Sequence, residues 1–436
     1  MSNIDLNPEV VIIGGGPGGY TAGIRLGQLD CRTVLVEKEE IGGVCLNWGC
    51  IPTKALYSAT EPLAKQESWR KRGVEIDGIC VQLEKLRKNQ DRVVSRLTKG
   101  VGKLLESNGT EVLKGKAEIK SGPVVEVNGE EGKLTLEPEH IILATGSDPI
   151  EIPGFSLDDP FVWSSRDSLD LREIPDRIVI LGAGVIGMEM ATIYNRLGSE
   201  VEVVELLDSI LPTVDMDRKP RTLLARSLKK QGISLNTGWM AKGMNKKGDH
   251  CLITIEKDGS EKELETDKVL LAVGRKPQFD CVDEELGLKI NEEGYIEVNE
   301  EMETNLENIY AIGDVSGPPL LAHKASKEGL IAVSSILNEE SEGYKAIPSA
   351  IFTDPEFASV GLSEDAAKEE GLKVRTGTFP LRAAGKAVAM DETEGMVKIV
   401  SEADTDKILG GQILAPHASD MIAEIALAVE KELTAE

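Results

Sequence analysis

Cys45-Leu46-Asn47-Trp48-Gly49-Cys50 sets two thiols five positions apart, close enough to close a small disulfide loop. A dithiol/disulfide couple moves two electrons in one exchange. The pair follows the turn Gly42-Gly43 and precedes Ile51-Pro52-Thr53-Lys54, which reads as helical, and a helix N-terminus favours the thiolate form of a cysteine. Met1 to Pro8 holds neither a charged n-region nor an apolar h-region, so the expectation is a chain that is not secreted and stays in the cytoplasm. Structural disulfides do not persist there, and a redox-cycling pair is the reading that remains. Cys31, Cys80, Cys251 and Cys281 stand alone and read as small buried hydrophobes. No CxxC set with companion histidines occurs, so no metal site is expected.

Two glycine turns are the second source of chemistry. Val10-Val11-Ile12-Ile13 is an apolar run followed by Gly14-Gly15-Gly16-Pro17-Gly18-Gly19, and Ile178-Val179-Ile180-Leu181 is another followed by Gly182-Ala183-Gly184-Val185-Ile186-Gly187. Each reads as a buried parallel strand, a tight turn and a helix start. The first glycine permits the turn, the second lets a pyrophosphate approach the backbone, and the third lets helix and strand pack closely. The helix N-terminus offers free N–H groups and a partial positive charge to the phosphates. A further strand follows each helix and ends on an acid, Glu37 and Glu205, each 23 residues on from the first glycine of its turn. Such an acid accepts hydrogen bonds from a ribose diol. A carboxylate at 205, with no Arg among residues 205–209, would repel a 2′-phosphate and favours NAD over NADP.

The elements that must position these groups repeat as well. Ile141-Ile142-Leu143-Ala144-Thr145-Gly146 echoes Val269-Leu270-Leu271-Ala272-Val273-Gly274, each a later strand ending in a tight turn. The fold class is α/β, with two doubly wound dinucleotide-binding domains; the chain crosses between them near Asp148-Pro149 and Lys276-Pro277. Residues 61–108 read as helices within the first domain, and residues 111–138 as short strands with glycine-rich turns. From about Ile347 a separate α+β unit begins, with strands at Ala350-Ile351-Phe352-Thr353 and Met396-Val397-Lys398-Ile399-Val400 and a helix capped by Ser363. The net charge of −26 argues against nucleic acid and anionic membranes, and no apolar run approaches the roughly 18 residues a bilayer span requires.

Gly42-Gly43-Val44-Cys45-Leu46-Asn47-Trp48-Gly49-Cys50-Ile51-Pro52-Thr53-Lys54 resembles the active-site stretch of the pyridine nucleotide-disulfide oxidoreductases, most closely their dihydrolipoamide dehydrogenase branch. Val44 departs from the usual Thr. The resemblance covers essentially the whole chain and implies FAD and NAD as cofactors. It implies an FAD and central domain over residues 1–148 and 277–346, an NAD domain over 149–276, and an interface domain for homodimer formation over 347–436. Cys45 is then the interchange thiol, Cys50 the charge-transfer thiol, and Lys54, paired with Glu189, the cation beside the flavin. FAD contacts are expected from Gly14, Gly16, Gly19, Glu37, Gly42, Gly43, Lys54, Gly115, Thr145, Gly146, Asp314 and Ala322. NAD contacts are expected from Gly182, Gly184, Val185, Ile186, Gly187, Glu205, Ala272, Gly274 and Arg275. The implied reaction is oxidation of protein-bound dihydrolipoamide with reduction of NAD, on a partner that carries a lipoyl domain.

The family's base is a His in a His-x-His-Pro-Thr stretch. Ala415-Pro416-His417-Ala418-Ser419-Asp420 is similar to the segment before it, and the chain ends at Glu436 without it, so an incomplete interface domain is expected. His323 reads as part of the segment under the flavin ring, and His417 as packed within the interface domain. Two other readings stand beside the main one: another flavin disulfide reductase of the mercuric reductase kind, and a flavin-bound subunit impaired by loss of the base.

Overall fold

The computed structural model describes residues 7–120, 124–130, 132–341 and 343–436. Residues 1–6, read above as carrying no secretion signal, and residues 121–123 and 131 of the glycine-rich turns, lie outside the described residues. The chain divides into two compact units. The first is Met1–Pro52, Gln90–Asp148 and Arg275–Tyr344; the second is Thr53–Asn89, Pro149–Gly274 and Lys345–Glu436. The helix Cys50–Lys71 begins in the first and continues in the second, and the helix Leu83–Ser107 does the reverse.

In the first unit Val10–Ile13 is buried along its whole length, as an apolar run with no alternation requires of a central parallel strand. It pairs in parallel with Thr33–Glu37 on one side and His140–Leu143 on the other, and Glu111–Lys114 and Ile309–Ala311 form the edges. The register sets Ile13 beside Val36 and Leu143. The loops that begin at Gly14, Lys38 and Ala144 therefore leave one carboxyl edge together, where doubly wound sheets bind their ligands. Val10, Ile12 and Ile142 pack on one face with Leu26 and Ile331; Val11, Ile13 and Ile141 pack on the other with Val125 and Val127. That second cover is a three-stranded antiparallel sheet, Lys116–Lys120, Val124–Gly129 and Gly132–Leu136. Each fully buried aliphatic side chain contributes about 1.5–3 kcal/mol.

The second unit repeats this plan around Arg177–Leu181, which pairs in parallel with Glu200–Glu205 and Lys268–Leu271. Ile178 and Ile180 pack with Met188 and Leu224, and Val179 and Leu181 pack with Ile253 and Ile255 of a three-stranded antiparallel sheet. One edge differs: the outer strand beside Lys268–Leu271 is Val162–Trp163, which precedes the glycine turn in sequence, whereas the first sheet takes Ile309–Ala311 from far downstream. The segments that carry the chain between units, Ser147–Pro149 and Arg275–Pro277, pair as a two-stranded ribbon.

The second unit also holds a five-stranded antiparallel sheet, in the order Ser349–Ile351, Glu356–Gly361, Ile408–Ala415, Met396–Glu402, Val374–Pro380. The helix Ala418–Glu430 lays Ile422 and Ile425 on it against Val360 and Ile413. Ser363 accepts the Ala366 N–H at 3.0 Å and so starts the helix Glu364–Glu369. Lys398 of this sheet bonds Asp217 at 2.6 Å and Glu364 at 2.5 Å, a buried charge cluster that fastens the nucleotide-binding part of the unit to the α+β layer. Cys31, Cys251 and Cys281 are buried as expected, but Cys80 is exposed, on a segment between two helices in which residues 72–78 are exposed as well. Among the described residues no helix is long and apolar enough to cross a membrane.

Candidate active site

At the end of the first strand the backbone turns at Gly14 with φ +107°, and a Cβ there would lie 2.3 Å from the Ala144 carbonyl oxygen. Gly19 sits so close that its Cβ would lie 1.9 Å from the Gly14 oxygen, so the helix Pro17–Gln28 starts directly on the turn. Gly16 is the N-cap, with no side-chain cap and no acid in the first turn, and a Cβ on it would meet nothing within 4 Å. Open space in front of uncapped N–H groups fits a diphosphate. Glu37, buried at the end of its strand, accepts the Gly15 N–H at 2.7 Å and the Glu39 N–H at 2.7 Å. The acid read as a ribose acceptor thus also fastens the glycine turn. Gly115 donates its N–H to the Glu37 carbonyl at 2.9 Å, which brings it to the same edge.

The cysteines are tied to this turn. Gly42 donates to the Gly15 carbonyl at 2.8 Å, and Gly43, at φ +56°, lies so near that a Cβ would come 2.8 Å from Gly16 Cα. The short helix Gly43–Trp48 carries Cys45, the chain breaks at Gly49, and Cys50 opens the 22-residue helix Cys50–Lys71. A side chain at Gly49 would press on Val44, with its Cβ 2.9 Å from the Val44 oxygen. Asn47 Nδ2 donates to the carbonyls of Gly43 at 2.9 Å and Ile41 at 3.1 Å, so the loop before the thiols is held at both ends. Both cysteines are half-buried. The Tyr20 phenol is pushed above its ordinary value by burial and then by the charges of Cys45 and Cys50. Sequence reading passed over Tyr20, because an aromatic one residue past the third glycine signals nothing by spacing.

Asp314 stands in the turn Gly313–Val315 and accepts from Ser147 Oγ at 2.5 Å. Ser147 in turn accepts from Arg275 Nε at 2.8 Å. Burial pulls the Arg275 guanidinium below its usual value, and Asp314, Asp148 and Cys50 push back. Arg275, expected at the NAD site, therefore bonds within the first unit, on the segment that holds Asp314. Thr145 Oγ1 donates to the Gln278 carbonyl, and Gly146, at φ +75°, accepts the Gln278 N–H at 3.0 Å. Ala322 opens the helix Ala322–Ile336. Behind it, Lys324 and Glu328 form an ion pair at 2.8 Å with side chains 4% and 3% exposed, and Glu328 accepts the Gly313 N–H at 2.7 Å.

The second unit repeats the cradle almost atom for atom. Gly182 has φ +104° and a Cβ would lie 2.3 Å from the Ala272 oxygen; Gly187 would come 2.0 Å from the Gly182 oxygen; Gly184 faces open space. Glu205 accepts the Ala183 N–H at 2.7 Å and the Leu207 N–H at 2.8 Å. Val185 and Ile186 form the first turn of the helix Val185–Leu197, and Gly274, at φ +137°, ends the later strand's loop. Glu189, buried on the second turn, takes the Lys54 ammonium at 3.0 and 3.1 Å and the Phe352 N–H at 3.0 Å. Lys54 lies one turn along its helix from Cys50. The expected Lys54–Glu189 pair thus forms, and Phe352 joins it.

The buried thiols are quiet: burial pushes Cys31 up, Cys251 up to about 11 and Cys281 up to about 12. Burial pulls His140 below the usual histidine range. His417, expected to pack within its layer, instead sits at φ +58° before the helix Ala418–Glu430 with a side chain 57% exposed. It serves the turn, with its Nδ1 3.8 Å from the Asp420 carboxylate.

Residues 8–329 match the family model described as pyridine nucleotide-disulphide oxidoreductase, and residues 347–436 match the dimerisation domain of the same family. The chain is 42% identical to a dihydrolipoyl dehydrogenase of Thermus scotoductus over 98% of its own length and 92% of the relative's. It is 41% identical to one of Haloferax volcanii, covering all of this chain and 93% of that one. Among solved structures, LpdA from Mycobacterium tuberculosis superposes with a TM-score of 0.90 at 27% identity, covering 98% of this chain and 94% of that one. The HOCl-induced flavoprotein disulfide reductase RclA from Escherichia coli gives a TM-score of 0.85 at 26% identity, with the same coverage.

Proposed function

The chain belongs to the pyridine nucleotide-disulphide oxidoreductases, whose members use FAD and NAD(H), and from that membership we propose that it oxidises protein-bound dihydrolipoamide to lipoamide while reducing NAD. The observation that carries this reading is the tie between the cysteine loop and the first cradle, through the Gly42 N–H on the Gly15 carbonyl and the contact of Gly43 with Gly16. FAD held by that cradle supplies a two-electron carrier between a dithiol and a nicotinamide. Gly14, Gly16 and Gly19 would hold its pyrophosphate, Glu37 a ribose, and Asp314 and Ala322 the part nearer the ring. Gly182, Gly184, Gly187 and Glu205 would hold NAD in the second cradle.

The residues divide the work as follows. One thiolate of the dihydrolipoyl group attacks the Cys45 sulfur of the Cys45–Cys50 disulfide and releases Cys50 as thiolate. The second substrate thiol attacks the mixed disulfide, frees Cys45 and leaves as lipoamide, so the cysteine pair ends two electrons richer. Cys50, first residue of its helix, keeps its charge where the helix N-terminus favours an anion. Lys54, fixed by Glu189, holds a positive charge one turn away. A homodimer, a lipoyl-bearing carrier as partner and a cytoplasmic location belong to the same proposal and rest on the family resemblance.

The test is Cys45→Ser, assayed for NADH oxidation with lipoamide and with a dye acceptor. The lipoamide reaction should vanish while the dye reaction continues. Lipoamide turnover that survives in Cys45→Ser would sink the proposal.

A further inference from the structure

Five side chains from three separate parts of the second unit stand in a row behind the active-site lysine. The Lys54 ammonium lies 4.3 Å from the centroid of the Phe352 ring. That ring meets Tyr57 edge to face, with centroids 5.6 Å apart and planes at 80°. The Arg196 guanidinium covers the Tyr57 ring at 4.4 Å and closes the row on Asp354 at 2.8 Å. The series runs cation, ring, ring, cation, anion.

Each member is fixed by more than its neighbour in the row. The Phe352 N–H is bonded to Glu189, the same carboxylate that grips Lys54. The Tyr57 hydroxyl donates to the Thr353 carbonyl at 2.8 Å, and Arg196 donates to the Tyr57 carbonyl at 3.3 Å. The Arg196 side chain is 3% exposed, whereas Lys54 is 31% exposed. A lysine is a flexible stem with three rotatable donors, and a carboxylate alone leaves it free to swing about the pair. The negative face of an aromatic ring supplies the second point of attachment. Tyr57 holds the ring's tilt through an edge-to-face contact of the favoured kind, and Arg196 holds Tyr57.

We propose that Phe352, supported by Tyr57 and Arg196, is a positioning residue for Lys54 that fixes the direction of its charge. The proposal rests on the reading of Lys54 as the cation beside the flavin, where a positive charge favours the more electron-rich reduced form. Phe352 does no chemistry; it limits the orientations of the charge that Lys54 holds.

The experiment reads the equilibrium between bound oxidised and reduced flavin in the holoprotein, titrated against a dye of known potential. Flavin content and thermal midpoint are recorded alongside it. Phe352→Leu should shift the equilibrium toward oxidised flavin by up to about 3- to 10-fold, the ceiling being the whole worth of one partly desolvated cation–π contact. Lys54→Met should shift it further in the same direction. In the Lys54→Met background Phe352→Leu should add nothing, since the ring then has no charge to hold. Pentafluorophenylalanine at position 352 keeps the shape of the ring and withdraws its negative face, and it should reproduce the shift with the thermal midpoint unchanged. An unshifted equilibrium in Phe352→Leu or in the fluorinated protein overturns the proposal, as does an effect that adds in full to that of Lys54→Met. If Lys54→Met itself shifts nothing, the reading of Lys54 fails and the proposal falls with it.

Discussion

At Gly14 and at Gly182 the backbone turns through φ of +107° and +104°, and in both places the missing Cβ would lie 2.3 Å from a carbonyl oxygen of the neighbouring strand's loop. Glu37 and Glu205 each lock their turn with the same two backbone N–H groups, of the residue after the first glycine and of the residue two past the acid. The cradles are alike wherever they would touch a diphosphate, and they differ in what lies beside them. The first is walled by its own chain, with Gly42 and Gly43 against Gly15 and Gly16 and the cysteine helices beyond. The second carries the matching backbone tie, the Leu211 N–H on the Ala183 carbonyl at 2.8 Å, but no pair of thiols follows it. Past Glu205 the chain leaves Leu206 63% and Leu207 52% exposed. One cradle stands against the cysteine loop, and the other opens beside exposed aliphatic side chains.

The sharpest way to break this comparison is to place a methyl group at equivalent points. Gly14→Ala combines a strained φ with a backbone overlap, at a cost of about 2–4 kcal/mol, and should yield protein without flavin absorbance. Gly182→Ala carries the same strain and should keep its flavin while losing reduction by NADH. Visible spectra before and after NADH distinguish the two, and flavin loss in both would mean that the cradles are not separate in function.

The acids come next. Glu205→Gln weakens two charged hydrogen bonds that hold the turn and removes the repulsion of a 2′-phosphate. The KM for NADH should rise roughly 10- to 100-fold, and discrimination against NADPH should narrow. Steady-state kinetics with both nucleotides check this; an unchanged NADH to NADPH ratio would remove Glu205 as the selector. Asn47→Ala should act only beside the first cradle. It frees the carbonyls of Ile41 and Gly43 at about 1–2 kcal/mol, so that kcat with a thiol substrate falls while the KM for NADH holds.

The smallest effect is a pH dependence. Burial lowers the His140 pKa in the folded state, so the neutral ring is favoured there. Its contribution is present above the ordinary histidine value near 6.5, and it is lost as pH falls through the lower folded value. The first unit should therefore loosen in mild acid before the second, read as faster amide exchange in His140–Leu143 than in Lys268–Leu271. Equal loosening of both strands would remove His140 as the cause.

Both cradles and the cysteine pair were legible in the sequence because their constraints are local: a glycine where no Cβ fits, an acid one strand later, two thiols across a helix break. The second role of the acids, fastening the turns, was not legible, since a carboxylate on a backbone N–H leaves no pattern of spacing. Arg275 was read from its place after Gly274, yet its donors go to Ser147, a partner 128 positions away. Residues 57, 196 and 352 share no window at all, and only folding brings that stack together. His417 and Cys80 were read as covered by average habit of their residue types, and their local backbone leaves both outside.

The central claim is that electrons from the second cradle reach the cysteines beside the first. The direct test is a count of reactive thiols, under denaturing conditions, in anaerobic holoprotein before and after NADH. The account predicts a gain of two thiols per chain, mapped to Cys45 and Cys50, and no such gain in Cys45→Ser although its flavin is still reduced. Flavin reduced by NADH in the wild-type protein with no gain of thiols would contradict it.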